Sequence, residues 1–387
     1  MSTPVARPTT EAGIDALRRG DAAAARQIFE QVVASGAATA DTQLGLVYAC
    51  SALHDGAAAR AAIDATLALE PRNLRALMLK GDALAADGNP IGAASFYQAV
   101  LQVAPDGAAL PPELRAEVER AHTLVDRYRL QFEQAMIAHL APMPDQSQRF
   151  RHSVDILLGR RDIYVQQPLL YYFPELPQVQ FYDRARFPWL DRLEAATADI
   201  RQELLAVMGQ PDAFAPYVQG DPSRPMLAQG GLRDNPDWSA FYLWKNGQRV
   251  EANAARCPRT MAALEGAPLT RMDRRSPSVL FSLMRPGAHI PAHHGFVNTR
   301  LIVHLPLIVP PGCRFRVGSE TREWQEGKAW VFDDTIEHEA WNDSDQTRVV
   351  LLFEIWRPEL TLQERAQVIT LFEGIDRQRG GIGDWSI

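Results

Sequence analysis

Two histidines, His293 and His338, bracket the part of the sequence whose residue types can do chemistry. His289-Ile-Pro-Ala-His293-His294-Gly295 opens a run of strand-like segments, and Phe332-Asp333-Asp334-Thr-Ile-Glu-His338-Glu-Ala-Trp341 closes it. Five of the nine histidines (His289, His293, His294, His304 and His338) fall within this interval, about an eighth of the chain, and such crowding asks for a metal. Imidazole suits iron, zinc, copper and nickel, and two histidines from facing strands can meet at one ion. The usual non-haem iron site adds a carboxylate, commonly two residues after the first histidine. That position here is Gly295, so another acid or water must complete the shell.

The neighbours divide by strand alternation. Glu337 and Glu339 flank His338 directly and are sent to the opposite face, which makes them poor ligands. Asp333 and Asp334 read as turn residues, either solvated or capping, or else as acceptors for an imidazole N–H. His304 shares a face with Arg300 and Ile302, as a hydrogen-bonded core histidine or as a co-substrate contact, while His289 and His294 read as loop residues. Arg348 begins the apolar strand Val349 to Ile355, and a guanidinium buried there needs an anion. Its planar fork fits a carboxylate, with Ser282 able to add a hydrogen bond; a salt bridge to an acid of the protein is equally open.

These residues must be positioned by strands. From Trp238 onward the apolar period shortens towards two, through Phe241–Trp244, Val279–Met284, Arg300–Val309, Arg314–Val317, Ala329–Phe332 and Arg348–Trp356, with Lys245-Asn246-Gly247 as a hairpin turn signal. Short strands with Gly and Pro turns predict a jelly-roll barrel. A helical pattern from Arg192 to Met208 precedes them, Thr361-Leu-Gln-Glu364 is a capping box for a last helix, and Gly380-Gly381 releases a short tail.

The N-terminal third has a different rhythm. Pro71 and Pro105 are 34 residues apart, and the same step links Ala25, Ala59 and Ala93, then Phe29, Ile63 and Tyr97, with Gly13 and Gly81 two steps apart. That is the period of tetratricopeptide repeats, in which small residues let paired helices approach. Arg19-Gly20-Asp21, Asp55-Gly56 and Asp87-Gly88-Asn89 mark the turns, and a helix over Pro112–Leu140 is expected to cover the end of the stack. Residues 141–188, rich in proline and aromatics, read as loops and short extended pieces. The expected organisation is a repeat domain over 1–138, a passage over 139–188 that begins the catalytic domain, and a barrel domain over 189–387. The fold class is multidomain α + β, a helical solenoid followed by a double-stranded β-helix (jelly-roll, cupin-like) barrel with flanking helices.

At 387 residues with a net charge of −7, the chain has no global basic surface, which disfavours nucleic acid or an anionic membrane as a bulk partner. Cys50, Cys257 and Cys313 are far apart and odd in number, as in a reducing compartment. The first residues lack the apolar core of a signal peptide and no run is long and apolar enough for a membrane span, so a cytoplasmic location is expected.

The order Ser282-Leu-Met284-Arg-Pro-Gly287, His293-x-Gly295, Asn298-x-Arg300, His304-Leu-Pro-Leu, Glu326-Gly327-Lys328, Phe332-Asp333-Asp334, Glu337-His338-Glu339-x-Trp341, Arg348 and Trp356-x-Pro358-Glu359-Leu360 resembles the aspartyl/asparaginyl β-hydroxylase family over roughly residues 165–365. The resemblance implies an iron(II)- and 2-oxoglutarate-dependent oxygenase that uses O2 and holds iron through two histidines and no carboxylate. It implies His293 and His338 as iron ligands, Ser282 and Arg348 as partners of the distal 2-oxoglutarate carboxylate, and Trp238, Met284 and His304 as further co-substrate contacts. Where animal members carry a second arginine, this chain has Ile302, with Arg300 on the same strand face as a substitute, and the cysteine pair of animal members around Asn253 to Met261 is absent. The expected substrate is a protein or peptide recruited by the repeats and hydroxylated at Asp or Asn. The alternatives are a small molecule or lipid acyl chain, or a catalytically silent repeat scaffold.

Overall fold

The computed structural model describes residues 8–105, 110–210, 212–219 and 234–378, so the Gly380-Gly381 tail lies outside the described residues. The chain divides into two compact units, Met1–Ser147 and Gln148–Ile387.

In the first unit, helices α1 (Thr10–Arg18), α2 (Ala22–Ala34), α3 (Ala40–Ala52), α4 (Gly56–Leu69), α5 (Leu74–Ala86) and α6 (Pro90–Val103) form three antiparallel pairs. The 34-residue register reappears as capping chemistry. Asp21, Asp55 and Asn89 each accept a hydrogen bond from the backbone three residues on and so start the second helix of each pair. The residue before each cap, Gly20, His54 or Gly88, takes a positive φ. Gly56 therefore opens α4 instead of making the turn, which His54 supplies. Gly13 and Gly45 lie against the Phe29 ring and Gly81 against Tyr97, where any Cβ would collide with the ring. Helix α7 spans Pro112–Leu140 as expected, buries Val118 and Ala121 on the last pair, and turns Arg120 onto Asp82 at 2.8 Å.

The second unit begins with α8 (Gln148–Leu157), a helix where the sequence suggested only loops. The expected helix over Arg192–Met208 is broken into α9 (Leu190–Ala195) and α10 (Thr197–Met208). Strands β1 (Ala215–Pro216), β2 (Trp238–Lys245) and β3 (Gln248–Arg249) are followed by short helices α11 (Glu251–Ala254) and α12 (Pro258–Ala263). Then come β4 (Val279–Met284), β5 (His289–His293), β6 (Arg300–Ile308), β7 (Cys313–Val317), β8 (Glu320–Glu323), β9 (Trp330–Phe332), β10 (His338–Asn342) and β11 (Arg348–Trp356). Asn246 and Gly247 both have positive φ and close the β2–β3 hairpin. Thr361 and Glu364 exchange the two bonds of a capping box at the start of α13 (Leu362–Gln378).

The strands make two antiparallel sheets. One runs β1-β2-β4-β11-β6-β9 with β3 beside β2, and the other runs β5-β10-β7-β8. Alternation splits the larger sheet into two faces. Phe241, Phe281, Leu301, Val303, Leu351 and Phe353 pack with Leu193, Ile200 and Leu204 of α9 and α10. The opposite face, with Met284, Ile302 and Val350, packs on Ile290, Phe315, Val317 and Ala340 of the smaller sheet. The site lies in this second interior.

Candidate active site

His293 ends β5 and His338 begins β10, and the register sets them directly opposite each other. They come from adjacent strands of one sheet, where the sequence reading had them on facing strands. Side chains so paired share a face and approach closely, and the two ring centroids are 4.0 Å apart. Each ring is oriented by a local bond. His293 Nδ1 lies 2.8 Å from the Pro291 carbonyl and His338 Nδ1 lies 3.2 Å from the Ile336 carbonyl. A carbonyl only accepts, so each Nδ1 carries the proton and each Nε2 keeps its lone pair. Burial pushes both histidines below the ordinary imidazole range, His338 well below; the His293 ring further opposes the charging of His338, and His294 that of His293. Two neutral, pre-oriented nitrogen donors side by side fit a first-row metal ion.

The larger sheet supplies the opposite wall. Ser282 on β4, Ile302 and His304 on β6, and Arg348 on β11 all line the cavity with the two histidines. Trp238 of β2 lines it too and donates from Nε1 to Ser282 Oγ at 3.2 Å. Arg348 is buried with no carboxylate bound to it; its Nη2 reaches Met284 Sδ at 2.6 Å, its guanidinium lies 4.4 Å over the Trp324 ring, and Nε and Nη1 have no partner among the described residues. Burial without an anion pulls its pKa down to about 10. Among the described residues, no acid makes the salt bridge that the sequence left open. Nearby, His304 Nδ1 and Trp324 Nε1 are also buried without partners, and burial beside Arg348 holds His304 neutral. A buried cation flanked by unfilled polar atoms fits a small carboxylate ligand.

Arg300 also faces the cavity, but its charge is already matched by Glu354, with Asp334 Oδ2 at 3.3 Å. Burial lowers its pKa, yet the two acids outweigh that and hold it raised. Asp333 and Asp334 are neither solvated nor bonded to an imidazole. Asp333 caps Thr335 but is fully buried and ion-paired with Arg357. Asp334 fills the space beside Gly295, where a Cβ would strike its carboxylate. In this corner Arg300 and Arg357 face Asp333, Asp334 and Glu354. Burial with that excess of acid raises Asp334 to about 6, against the pull of Arg300.

Glu337 and Glu339 do turn away, both onto Arg316 at 2.8 Å. His289 belongs to β5, not to a loop; it stacks on Trp341 and bonds Glu339 at 2.7 Å on the outer side. His294 follows the strand, as the loop assignment expected. Tyr217, stacked on Trp238 at 4.1 Å, and Phe296 line the cavity without having been singled out. Glu354 was legible: a lone carboxylate inside the run Val349 to Ile355 must find a cation.

Residues 194–358 match the family model described as aspartyl/asparaginyl β-hydroxylase. The chain is 43% identical to the human aspartyl/asparaginyl β-hydroxylase over 167 residues, which is 43% of this chain and only 21% of that protein. It is 35% identical over 225 residues to the ornithine lipid ester-linked acyl 2-hydroxylase of Rhizobium tropici, covering 57% of this chain and 74% of that protein. Among solved structures, the Yersinia enterocolitica type III secretion chaperone bound to a translocator peptide is similar over 32% of this chain and 90% of its own, at 15% identity and a TM-score of 0.28.

Proposed function

The chain belongs to the aspartyl/asparaginyl β-hydroxylase family, and from that premise we propose that it is an iron(II)- and 2-oxoglutarate-dependent dioxygenase that hydroxylates an unactivated carbon. The observation that carries this reading is the opposition of two neutral imidazoles on one wall to a buried guanidinium on the other that no described acid pairs with. We read the two sheets around them as the jelly-roll of such enzymes.

Iron held by His293 and His338 would supply dioxygen activation, with 2-oxoglutarate giving up the electrons; overall, 2-oxoglutarate, O2 and a C–H bond become succinate, CO2 and a C–OH bond. The protein's part is placement. Arg348 binds the distal carboxylate, Ser282 adds a donor whose direction is set by the Trp238 indole, and neutral His304 sits beside them without competing charge. Ile290, Ile302, Phe296 and Leu352 keep water from the cavity. Glu354 and Asp334 already more than match the Arg300 charge, so that set stiffens the wall beside Gly295 while Arg348 stays the open cation.

For the substrate, our first reading is an Asp or Asn side chain of a protein recruited by the repeat unit, in a cytoplasmic setting. The second is a lipid acyl chain, favoured by the broad match to the ornithine lipid hydroxylase. The test is metal content and uncoupled 2-oxoglutarate consumption. His293→Ala and His338→Ala should each lose iron and turnover, whereas Glu337→Gln and Glu339→Gln should keep both. An amide variant that loses the metal as completely as His338→Ala would sink the two-histidine site.

A further inference from the structure

The extended segment from Ile163 to Tyr172 wears its side chains inside out. Tyr164 lies beneath the Arg316 guanidinium, and Gln166 is buried, donating to the Pro177 carbonyl at 3.1 Å and to Asp333 at 2.6 Å. Of the alternate positions, Ile163 is 73% exposed, Val165 45% and Leu169 61%, with exposed Gln167 as the polar interruption, and Leu170 and Tyr172 add further exposed apolar surface. A strand covering a core normally shows the reverse, polar out and apolar in. Contiguous exposed apolar surface of this kind marks an interaction site.

Three features say what the strip meets. It runs to the mouth of the active-site cavity, because the Leu169 and Leu170 N–H groups donate to the carbonyls of Gly295 and Phe296, two cavity-lining residues, at 3.0 and 2.9 Å. Those bonds, with Gln167 N–H to Thr335 O at 2.7 Å, spend the segment's hydrogen-bonding edge on its own chain, so a peptide adding as a further strand finds no partners there. Finally, helix α8 just before it buries no residue at all, exposing Phe150, Ile156 and Leu157 among Arg149 and Arg151, with Arg160 and Arg161 following; Asp155 and Asp162 are the only acids in the stretch. Arg149, Ile156, Arg161 and Ile163 line one groove, so the basic and apolar parts are one surface. A basic cluster in a chain of net charge −7 is a local device.

We propose that this face, α8 with the strip Ile163–Tyr172, docks the second unit on the surface of an anionic lipid bilayer, apolar side chains entering the acyl boundary and arginines meeting phosphate headgroups. The interaction goes beyond the hydroxylase reading and uses none of its metal chemistry. The full-length chain without metal is floated with vesicles of phosphatidylcholine alone and of equal parts phosphatidylcholine and phosphatidylglycerol. Flotation is expected with the anionic vesicles and to fall at high salt. The double variant Leu169→Asp with Leu170→Asp, and the variant Arg149→Glu, should each lower the partition coefficient at least about tenfold, with unchanged melting temperature because all three side chains are exposed. No flotation of the wild-type chain, or equal flotation of both variants, overturns the proposal. So does a wild-type dimer that the leucine variant splits into monomers, since the strip would then be a self-interface, or a Leu-rich peptide that binds the strip when vesicles do not.

Discussion

Replacing Arg348 by methionine should move stability and ligand binding in opposite directions. In the unliganded protein the buried guanidinium has no counter-anion among the described residues, and burial pulls its pKa down to about 10, a shift that corresponds to a cost of about 3 kcal/mol to the fold at any pH below 10. Methionine is long enough to fill the site and removes that cost. Part of the gain is given back through the lost stacking of the guanidinium on Trp324, worth roughly 1–2 kcal/mol when desolvated. The unliganded variant should therefore be as stable as the wild type or more so, by roughly 0–2 kcal/mol. Binding should suffer, because a carboxylate loses the cavity's buried cation that no described acid matches, a loss of roughly 2–5 kcal/mol. That is roughly thirtyfold to several thousandfold in Kd. Urea melts of the metal-free proteins give the first quantity, and calorimetric titration of 2-oxoglutarate into the anaerobic iron-loaded proteins gives the second, with metal stoichiometry as the control. An unchanged Kd would refute the assignment of Arg348 to the co-substrate. A metal-free variant destabilised by several kcal/mol would show instead that the arginine belongs to a structural ion pair.

Other perturbations follow from the same geometry. His304 is held neutral well below the unfolded value near 6.5, so as pH falls through 6.5 the unfolded chain takes a proton that the fold refuses, and stability should drop by about 1.4 kcal/mol per pH unit from this residue. His304→Phe should remove that increment from urea melts between pH 5 and 6.5, and parallel profiles for the two proteins would contradict the burial argument. Gly295→Ala should keep iron but cost roughly 1–3 kcal/mol, because its methyl displaces the Asp334 carboxylate from beside Arg300; a neutral effect in denaturation would mean that corner is loosely packed. A fragment starting at Gln148 should fold cooperatively and bind iron, since both histidines and Arg348 lie in the second unit; a soluble fragment without metal affinity would show that the repeats contribute to the site.

Whatever depends on near neighbours was legible in the sequence. The 34-residue step predicted the helix pairs because capping residues and close-packed glycines act within one hairpin, and it reappears in Asp21, Asp55 and Asn89. The Asn246-Gly247 turn and the Thr361–Glu364 box are read from three or four residues each, and period-two alternation alone put Arg300, Ile302 and His304 on one face and turned Glu337 and Glu339 away from His338.

Tertiary structure decided the charges and the direction of each surface. Asp333 and Asp334 have the local context of turn residues, yet they are buried because Arg357 and Arg300, distant in sequence, arrive to neutralise them. Arg300 and Arg348 look alike as strand-leading arginines, but one meets Glu354 across the sheet while the other, among the described residues, meets Met284 and Trp324 and no acid, which makes the second the open cation. The inside-out strip at Ile163–Leu169 was hidden for the same reason: alternation shows that two faces differ, but which one meets the core depends on where the chain crosses Gly295 and Thr335. Pairing energies between distant charges and the burial of one face over another exist only after the chain has folded back on itself, so no local pattern can record them.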